Sequence, residues 1–163
     1  MQNNLLNSEN INFDGVDYKL IWSDQMPDLK KGKITQVSGF VLNDKNRVLV
    51  IKNKHGWGIP GGHPETCDKT LMDVLIREVF EESCAKIKDK TKYIGCIIVQ
   101  NLTNQEINYQ MRYLCYLGSV ENFEPKYETT NRRFVKINNL SHYIAWIKGI
   151  VGNIQKQKLL QYV

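Results

Sequence analysis

The sequence predicts an α+β fold, with mixed α and β elements around one sheet, and three observations carry that expectation. Apolar, β-branched runs recur on both sides of a central segment. That segment, Thr70 to Ser83, contains no Gly or Pro and holds a helical pattern. The order of strands, one helix, more strands and a final helix suits a sheet covered by helices. At 163 residues, without an internal repeat or a Pro-, Gly- or Ser-rich linker, residues 1–163 are expected to form a single domain whose first dozen residues are loose.

Val16 to Trp22 and Ile34 to Leu42 read as strands. Asn43-Asp44-Lys45-Asn46 is turn chemistry, and Arg47 to Ile51 is apolar and β-branched, so the three together predict a hairpin. Trp57-Gly58-Ile59-Pro60-Gly61-Gly62 reads as a strand running into a glycine loop. After the central helix, Ile94 to Val99, Ile107 to Leu117 and Arg133 to Ile137 are strand-like. A closing helix is expected between Ala145 and Tyr162, weakened by Gly149 and Gly152.

Composition narrows the function classes. Apolar residues make up 42% and charged residues 24%, near the averages for globular domains, which excludes disordered and collagen-like chains. No apolar stretch approaches the ~20 residues of a membrane-spanning helix. Met1 to Asn10 has neither the basic nor the apolar region of a signal peptide, so no leader is expected. Cys67, Cys84, Cys96 and Cys115 stand far apart, which argues against zinc spacing or a disulfide framework and for a reducing cytoplasm. Lys and Arg outnumber Asp and Glu by 22 to 17, a moderate excess that suits an anionic ligand. The lysines are scattered and not interleaved with aromatics, so no stable nucleic-acid partner is expected. His55, His63 and His142 form no metal spacing.

On a helical wheel, Met72, Leu75, Ile76, Val79 and Phe80 make a stripe for burial against a sheet. Glu78, Glu81 and Glu82 gather on another side at i, i+3 and i+4. Like charges at that spacing destabilise a bare helix by a few tenths of a kcal/mol per pair. Solvent together with Arg77 offsets that cost on an ordinary surface. Hard divalent cations offset it in a site, because Mg²⁺ and Mn²⁺ favour carboxylate oxygens. Gly61-Gly62, which permits close approach of backbone to a ligand, precedes the helix.

These residues resemble a known family. Trp57-Gly58-Ile59-Pro60-Gly61-Gly62 followed by Arg77-Glu78-Val79-Phe80-Glu81-Glu82 looks like the signature of the Nudix hydrolases, MutT-like members among them: G-x5-E-x7-R-E-U-x-E-E-x-G-U, with U aliphatic. The R-E-U-x-E-E block matches in full. Three departures stand beside it. Gly62 and Arg77 are fifteen apart where the pattern has fourteen. The first box glutamate has no counterpart, the nearest positions being Asp68 and Lys69, and Asp68 is expected to support Arg77 and to serve as a helix N-cap. Cys84 replaces the late glycine and forfeits an easy left-handed C-cap.

The resemblance implies a Nudix fold, a mixed β-sheet sandwiched between helices. It implies an enzyme, a pyrophosphohydrolase that cleaves the diphosphate linkage of a nucleoside diphosphate joined to another group, with Mg²⁺ or Mn²⁺ as cofactor. Carried over by position, Glu78, Glu81 and Glu82 hold metal, with Gly62 adding its carbonyl and Arg77 orienting Glu78. A later glutamate often completes the site. Glu128, six residues before Phe134, has the spacing seen in MutT-like members, and Glu124 is the alternative. His63 is placed to touch phosphate. Tyr109, Tyr113 and Trp57 either stack on a base or belong to the core. A nucleoside triphosphate, a nucleotide sugar and ADP-ribose all fit the box, and a homodimer is left open. The competing reading is a catalytically weak Nudix-fold module that binds nucleotides to regulate.

Overall fold

The computed structural model describes residues 7–125 and 128–163. The early strands are β1 (Ser8–Phe13), β2 (Val16–Ser23), β3 (Lys33–Leu42), β4 (Arg47–Asn53), β5 (Gly56–Gly58) and β6 (Gly61–Gly62). Helix α1 (Leu71–Ser83) follows, then β7 (Ala85–Asn101), β8 (Ile107–Val120) and β9 (Asn131–Lys136). Short helix α2 (Leu140–Tyr143) and helix α3 (Ile150–Leu160) end the chain. The strands run in the order β1-β2-β7-β8-β3-β4-β5, with β6 paired to β3 and β9 to β4. Only β3 and β8 pair in parallel among the described strands.

The alternation of side chains along a strand builds two cores on the two faces of this sheet. Phe40, Leu42, Val48, Val50 and Leu114 point to one face, under Leu140, Ile144, Ile147, Val151 and Leu159. Val37, Val41, Leu49, Met111 and Cys115 point to the other, under Val74, Leu75 and Val79 of α1. The sheet therefore lies between helices, as expected. Ile76 and Phe80, assigned to the buried stripe of α1, are exposed instead. Tyr109 and Tyr113 are buried in the core on the α1 side and take no part in stacking on a ligand.

Three elements differ from the expectation. Residues 8–12 are not loose: β1 pairs with β2 along its whole length, from Ser8↔Ile21 to Phe13↔Val16. Asp14 and Gly15, both at positive φ, make the two-residue turn whose twist matches a hairpin. Residues 1–6 of the expected loose segment lie outside the described residues. Strand β7 begins nine residues before Ile94, because Lys86, Lys88, Lys90 and Lys92 alternate with partly buried Ile87, Thr91 and Tyr93. Their spacing is that of one solvated strand face. The closing helix is split at Gly149 into a 3-10 turn, Ala145–Lys148, and α3. Glu9 of β1 accepts hydrogen bonds from the Ile150 and Val151 amides at 3.1 and 2.9 Å, satisfying the free donors at the start of α3.

Candidate active site

Helix α1 is started by a capping box. The Asp73 amide donates to Thr70 Oγ1 at 3.2 Å, and the Thr70 amide donates to Asp73 Oδ2 at 2.8 Å. Thr70 is thus the N-cap, and Asp68 is not. The Asp68 carboxylate is engaged elsewhere: it receives Arg77 Nε at 3.1 Å and Arg77 Nη2 at 2.7 Å, a two-pronged pair. It also accepts the Glu65 amide at 2.8 Å, which folds the extra-long loop back on itself. The Asp68 side chain is 5% exposed and that of Arg77 17%. At the far end of α1, Cys84 adopts the left-handed conformation despite its Cβ, and its amide donates to Phe80 O at 2.8 Å. The C-cap expected to be lost is kept.

Arg77 is the hub of an acidic cluster. Besides Asp68 it donates through Nη1 to Glu78 Oε1 at 2.8 Å and to Glu81 Oε2 at 3.4 Å, and through Nη2 to the His63 carbonyl at 3.1 Å. Glu65 stands 3.7 Å from Nη1. One guanidinium therefore serves Glu65, Asp68, Glu78 and Glu81. Hydrogen bonding to Arg77 holds the Asp68 carboxyl below the usual range, and Asp68 in turn raises the affinity of Arg77 for its proton.

Glu82 has no share in this cation. Its Oε2 accepts the Gly61 amide at 2.8 Å. Burial, followed by the charges of Glu78, Glu128 and Glu81, pushes its pKa up to about 7 against the Gly61 hydrogen bond. Burial likewise raises Glu78, with Arg77 opposing. Gly62 lies directly against Glu78: a Cβ there would stand 2.3 Å from Glu78 Oε1. Strand β6 thus brings the glycine backbone onto the glutamates because Val37↔Gly62 and Ser38↔Gly61 pair it to β3. Glu128 is on the loop before β9, exposed, 3.5 Å from Lys54 and near enough to raise Glu82. Glu124 offers its carbonyl to Cys84 Sγ at 3.9 Å.

The donor set fits a hard divalent cation: it is all carboxylate and carbonyl oxygen, it is partly buried, and its negative charge exceeds the single guanidinium. Among the described residues no three acidic, His or Cys side chains already meet as a closed ligand group. Glu78 turns to Arg77 and Glu82 to the Gly61 amide. Glu82 opens onto a cavity of about 700 Å³ that Gly61, His63, Trp57, Arg112 and Trp146 also line. Arg112 and that cavity were not anticipated from sequence, although Asn108, Gln110 and Arg112 alternate with core residues along β8.

Asp68→Ala tests whether the Arg77 support replaces the missing box glutamate. Outer-shell losses of this type typically cost about 10–100-fold in activity or metal affinity. Asp68→Ala is expected to fall in that range in kcat/KM, and Lys69→Ala to leave it within about twofold. The reverse order would show that the loop is anchored otherwise.

Residues 32–148 match the family model of the NUDIX domain. Compared with curated proteins, the sequence has no significant match. Among solved structures, the chain is similar to a mutant of the Bacillus subtilis pyrophosphohydrolase BsRppH, with 18% identity, TM-score 0.71, and 89% of this chain and 92% of that one covered. It is similar to a MutT protein from Methanosarcina mazei Go1, with 20% identity, TM-score 0.53 and coverage of 80% and 98%. It also resembles the NUDIX domain of Shewanella oneidensis NrtR complexed with ADP ribose, at 13% identity, TM-score 0.56 and coverage of 74% and 84%. With its box in place on α1 and the family model covering most of its length, the chain belongs to the Nudix family, pyrophosphohydrolases acting on nucleoside diphosphate derivatives.

Proposed function

We propose that the protein hydrolyses the diphosphate linkage of a nucleoside diphosphate joined to another group, with Mg²⁺ or Mn²⁺ as cofactor. The observation that carries this reading is the meeting of α1 with the glycine loop beside the cavity: Glu82 accepts the Gly61 amide, Glu78 lies against Gly62, and Glu81 shares the Arg77 guanidinium with Glu78. Glu78, Glu81, Glu82 and the Gly62 carbonyl would hold the metal. When bound, divalent cations neutralise the phosphates and lower the pKa of water. Arg77, fixed by Asp68, keeps Glu78 aimed at Gly62. A pure binding module gains nothing from clustered like charges on one helix turn, which favours turnover over a regulatory role.

Glu128 is the proposed general base. It needs only hydrogen-bond reach to the attacking water, directly or through another water. Its pairing with Lys54 is between exposed groups and is worth little, so the carboxylate can turn toward the cleft. General-base catalysis typically contributes about 10²–10⁴-fold. Glu128→Gln is therefore expected to lower kcat by about 100-fold with KM nearly unchanged. A silent Glu128→Gln beside a crippled Glu124→Gln would move the role to Glu124.

The reading is tested by incubating the protein with Mg²⁺ and a panel of nucleoside triphosphates, nucleotide sugars and ADP-ribose. Release of a nucleotide together with phosphate, pyrophosphate or a phosphorylated second product is expected for at least one. If every compound is left intact but some bind, the regulatory module is the better reading. No helix among the described residues is long and apolar enough to cross a membrane. A cytoplasmic location and a small-molecule nucleotide as the partner agree with the proposal.

A further inference from the structure

The floor of the cavity is one face of the sheet, and along two neighbouring strands that face changes character. On β3 it carries Gln36 and Ser38 before turning apolar at Phe40 and Leu42. On β8 it carries Asn108, Gln110 and Arg112 before Leu114. The polar halves sit side by side, with Gln36↔Gln110 and Ser38↔Arg112 in register.

Arg112 is only 4% exposed, yet its partners are neutral. Its Nε donates to Gln155 Oε1 at 3.1 Å, Nη1 to Gln36 Oε1 and to the Met111 carbonyl at 3.2 Å each, and Nη2 to Gln110 Oε1 at 2.9 Å. Removing one cation from water without an anion beside it is costly. Burial pulls the Arg112 pKa down to about 10. A guanidinium offers only donors, so each glutamine must turn its carbonyl toward it and its NH₂ away. Gln155 spends that NH₂ on the Val151 carbonyl at 3.1 Å. Gln36 and Gln110 both line the cavity, and their Oε1 atoms are taken by Arg112. Arg112 itself keeps one of its five N–H donors uncommitted among the described residues. Two same-face positions earlier on β8, next to Gln110, Asn108 lines the same cavity, and its Oδ1 is buried without a hydrogen-bond partner.

The floor thus offers donors from Arg112, Gln36 and Gln110, and one unmet acceptor from Asn108. Above them Trp146 lies 5.9 Å from the Arg112 guanidinium, and Ile97, Val99 and Val151 give the cavity apolar walls. Gly61, Ser38 and Arg112 occupy one rung across β6, β3 and β8, which at ordinary strand spacing sets Arg112 about 10 Å from Gly61. A ribose fits between a diphosphate at the glycine loop and a ring at Arg112. A second phosphate is a poorer occupant, since it would meet one free guanidinium N–H amid apolar walls.

Resting on the hydrolase reading for the position of the diphosphate, we propose that this floor reads the base. Arg112, Gln36 and Gln110 select a ring edge bearing a carbonyl oxygen next to an N–H, as in guanine or uracil, over the amino and bare-nitrogen edge of adenine or cytosine. The carbonyl takes the protein's donors, and the ring N–H supplies the Asn108 oxygen. With adenine the donors would face an amino group and remain buried unpaired.

The test compares kcat/KM for GTP, UTP, ATP and CTP with Mg²⁺, and in parallel the calorimetric affinity for GMP, UMP, AMP and CMP without metal. Good edge-specific pairing gives about tenfold discrimination or more, so guanine and uracil nucleotides should be favoured by that factor in both assays. Arg112→Lys keeps the charge but not the fork, and Gln110→Glu replaces the donor by a second acceptor. In whichever of the two melts as the wild type does, the preference should shrink to about twofold or invert. Equal affinity for all four monophosphates would overturn the proposal, as would an unchanged preference in both variants. So would tighter, Arg112-dependent binding of inorganic pyrophosphate than of GMP. Selective binding of GMP and UMP with no turnover would uphold base reading while the hydrolase proposal fails.

Discussion

Glu82→Gln should leave the protein folded and reduce kcat by about 1,000-fold, the scale of several kcal/mol that a metal site supplies at the transition state. The amide is nearly the shape of the carboxylate and still accepts the Gly61 N–H, so β6 stays attached to α1. What it lacks is charge. In the metal-free protein that charge is a burden: the folded-state pKa of about 7 lies above the ordinary 4.5, so the folded state holds the proton more tightly than the unfolded one. The metal-free wild type should therefore lose stability as pH rises from about 4.5 through about 7, and Glu82→Gln should flatten that slope. Mg²⁺ should raise the wild-type Tm at pH 8 by mass action and leave the variant's nearly unmoved. Near-wild-type turnover at low Mg²⁺ would remove Glu82 from the ligand set.

Gly62→Ala is expected to be as damaging as Glu128→Gln, through one methyl group. Its Cβ would stand 2.3 Å from Glu78 Oε1, so the Glu78 carboxylate must swing away and leave Arg77 Nη1. The displaced atoms are the free end of a flexible side chain, and the Gly62 backbone needs no left-handed conformation, so folding should survive. A catalytic group moved by about 1 Å can cost about 100-fold, and a loss of that size in kcat/KM is expected. Gly61→Ala makes the contrast. There φ is +155° and the Cβ would meet Ser38 Oγ and the Val37 carbonyl, so melting temperature should fall as well as activity. Wild-type activity in Gly62→Ala would show that Glu78 need not lie against the glycine loop.

How far the sequence revealed this molecule depended on whether the signal was local. Strand β3, hairpin partner β4 and helix α1 were legible because alternation, turn residues and a Gly-free stripe lie within each segment. The Asp68–Arg77 pair was legible for a related reason: one extra loop residue is offset by one fewer methylene. Strand β1 was missed because its polar residues read as a loose terminus, although Asp14-Gly15 is itself a hairpin signal. In the sequence the lysines of β7 count only as scattered charge, although their two-residue period is the signal of a strand. Arg112 could not be placed, because its partners Gln36 and Gln155 come from distant segments that only the sheet and α3 bring together.

Metal removal and return tests the central claim most directly. The best substrate of the nucleotide panel is incubated with protein stripped by EDTA and dialysed, then with Mg²⁺ added back, with Glu82→Gln run in parallel. The account predicts turnover at background in the stripped wild type, full recovery with Mg²⁺, and no recovery in Glu82→Gln. Undiminished hydrolysis in EDTA, or equal recovery in wild type and Glu82→Gln, would contradict it.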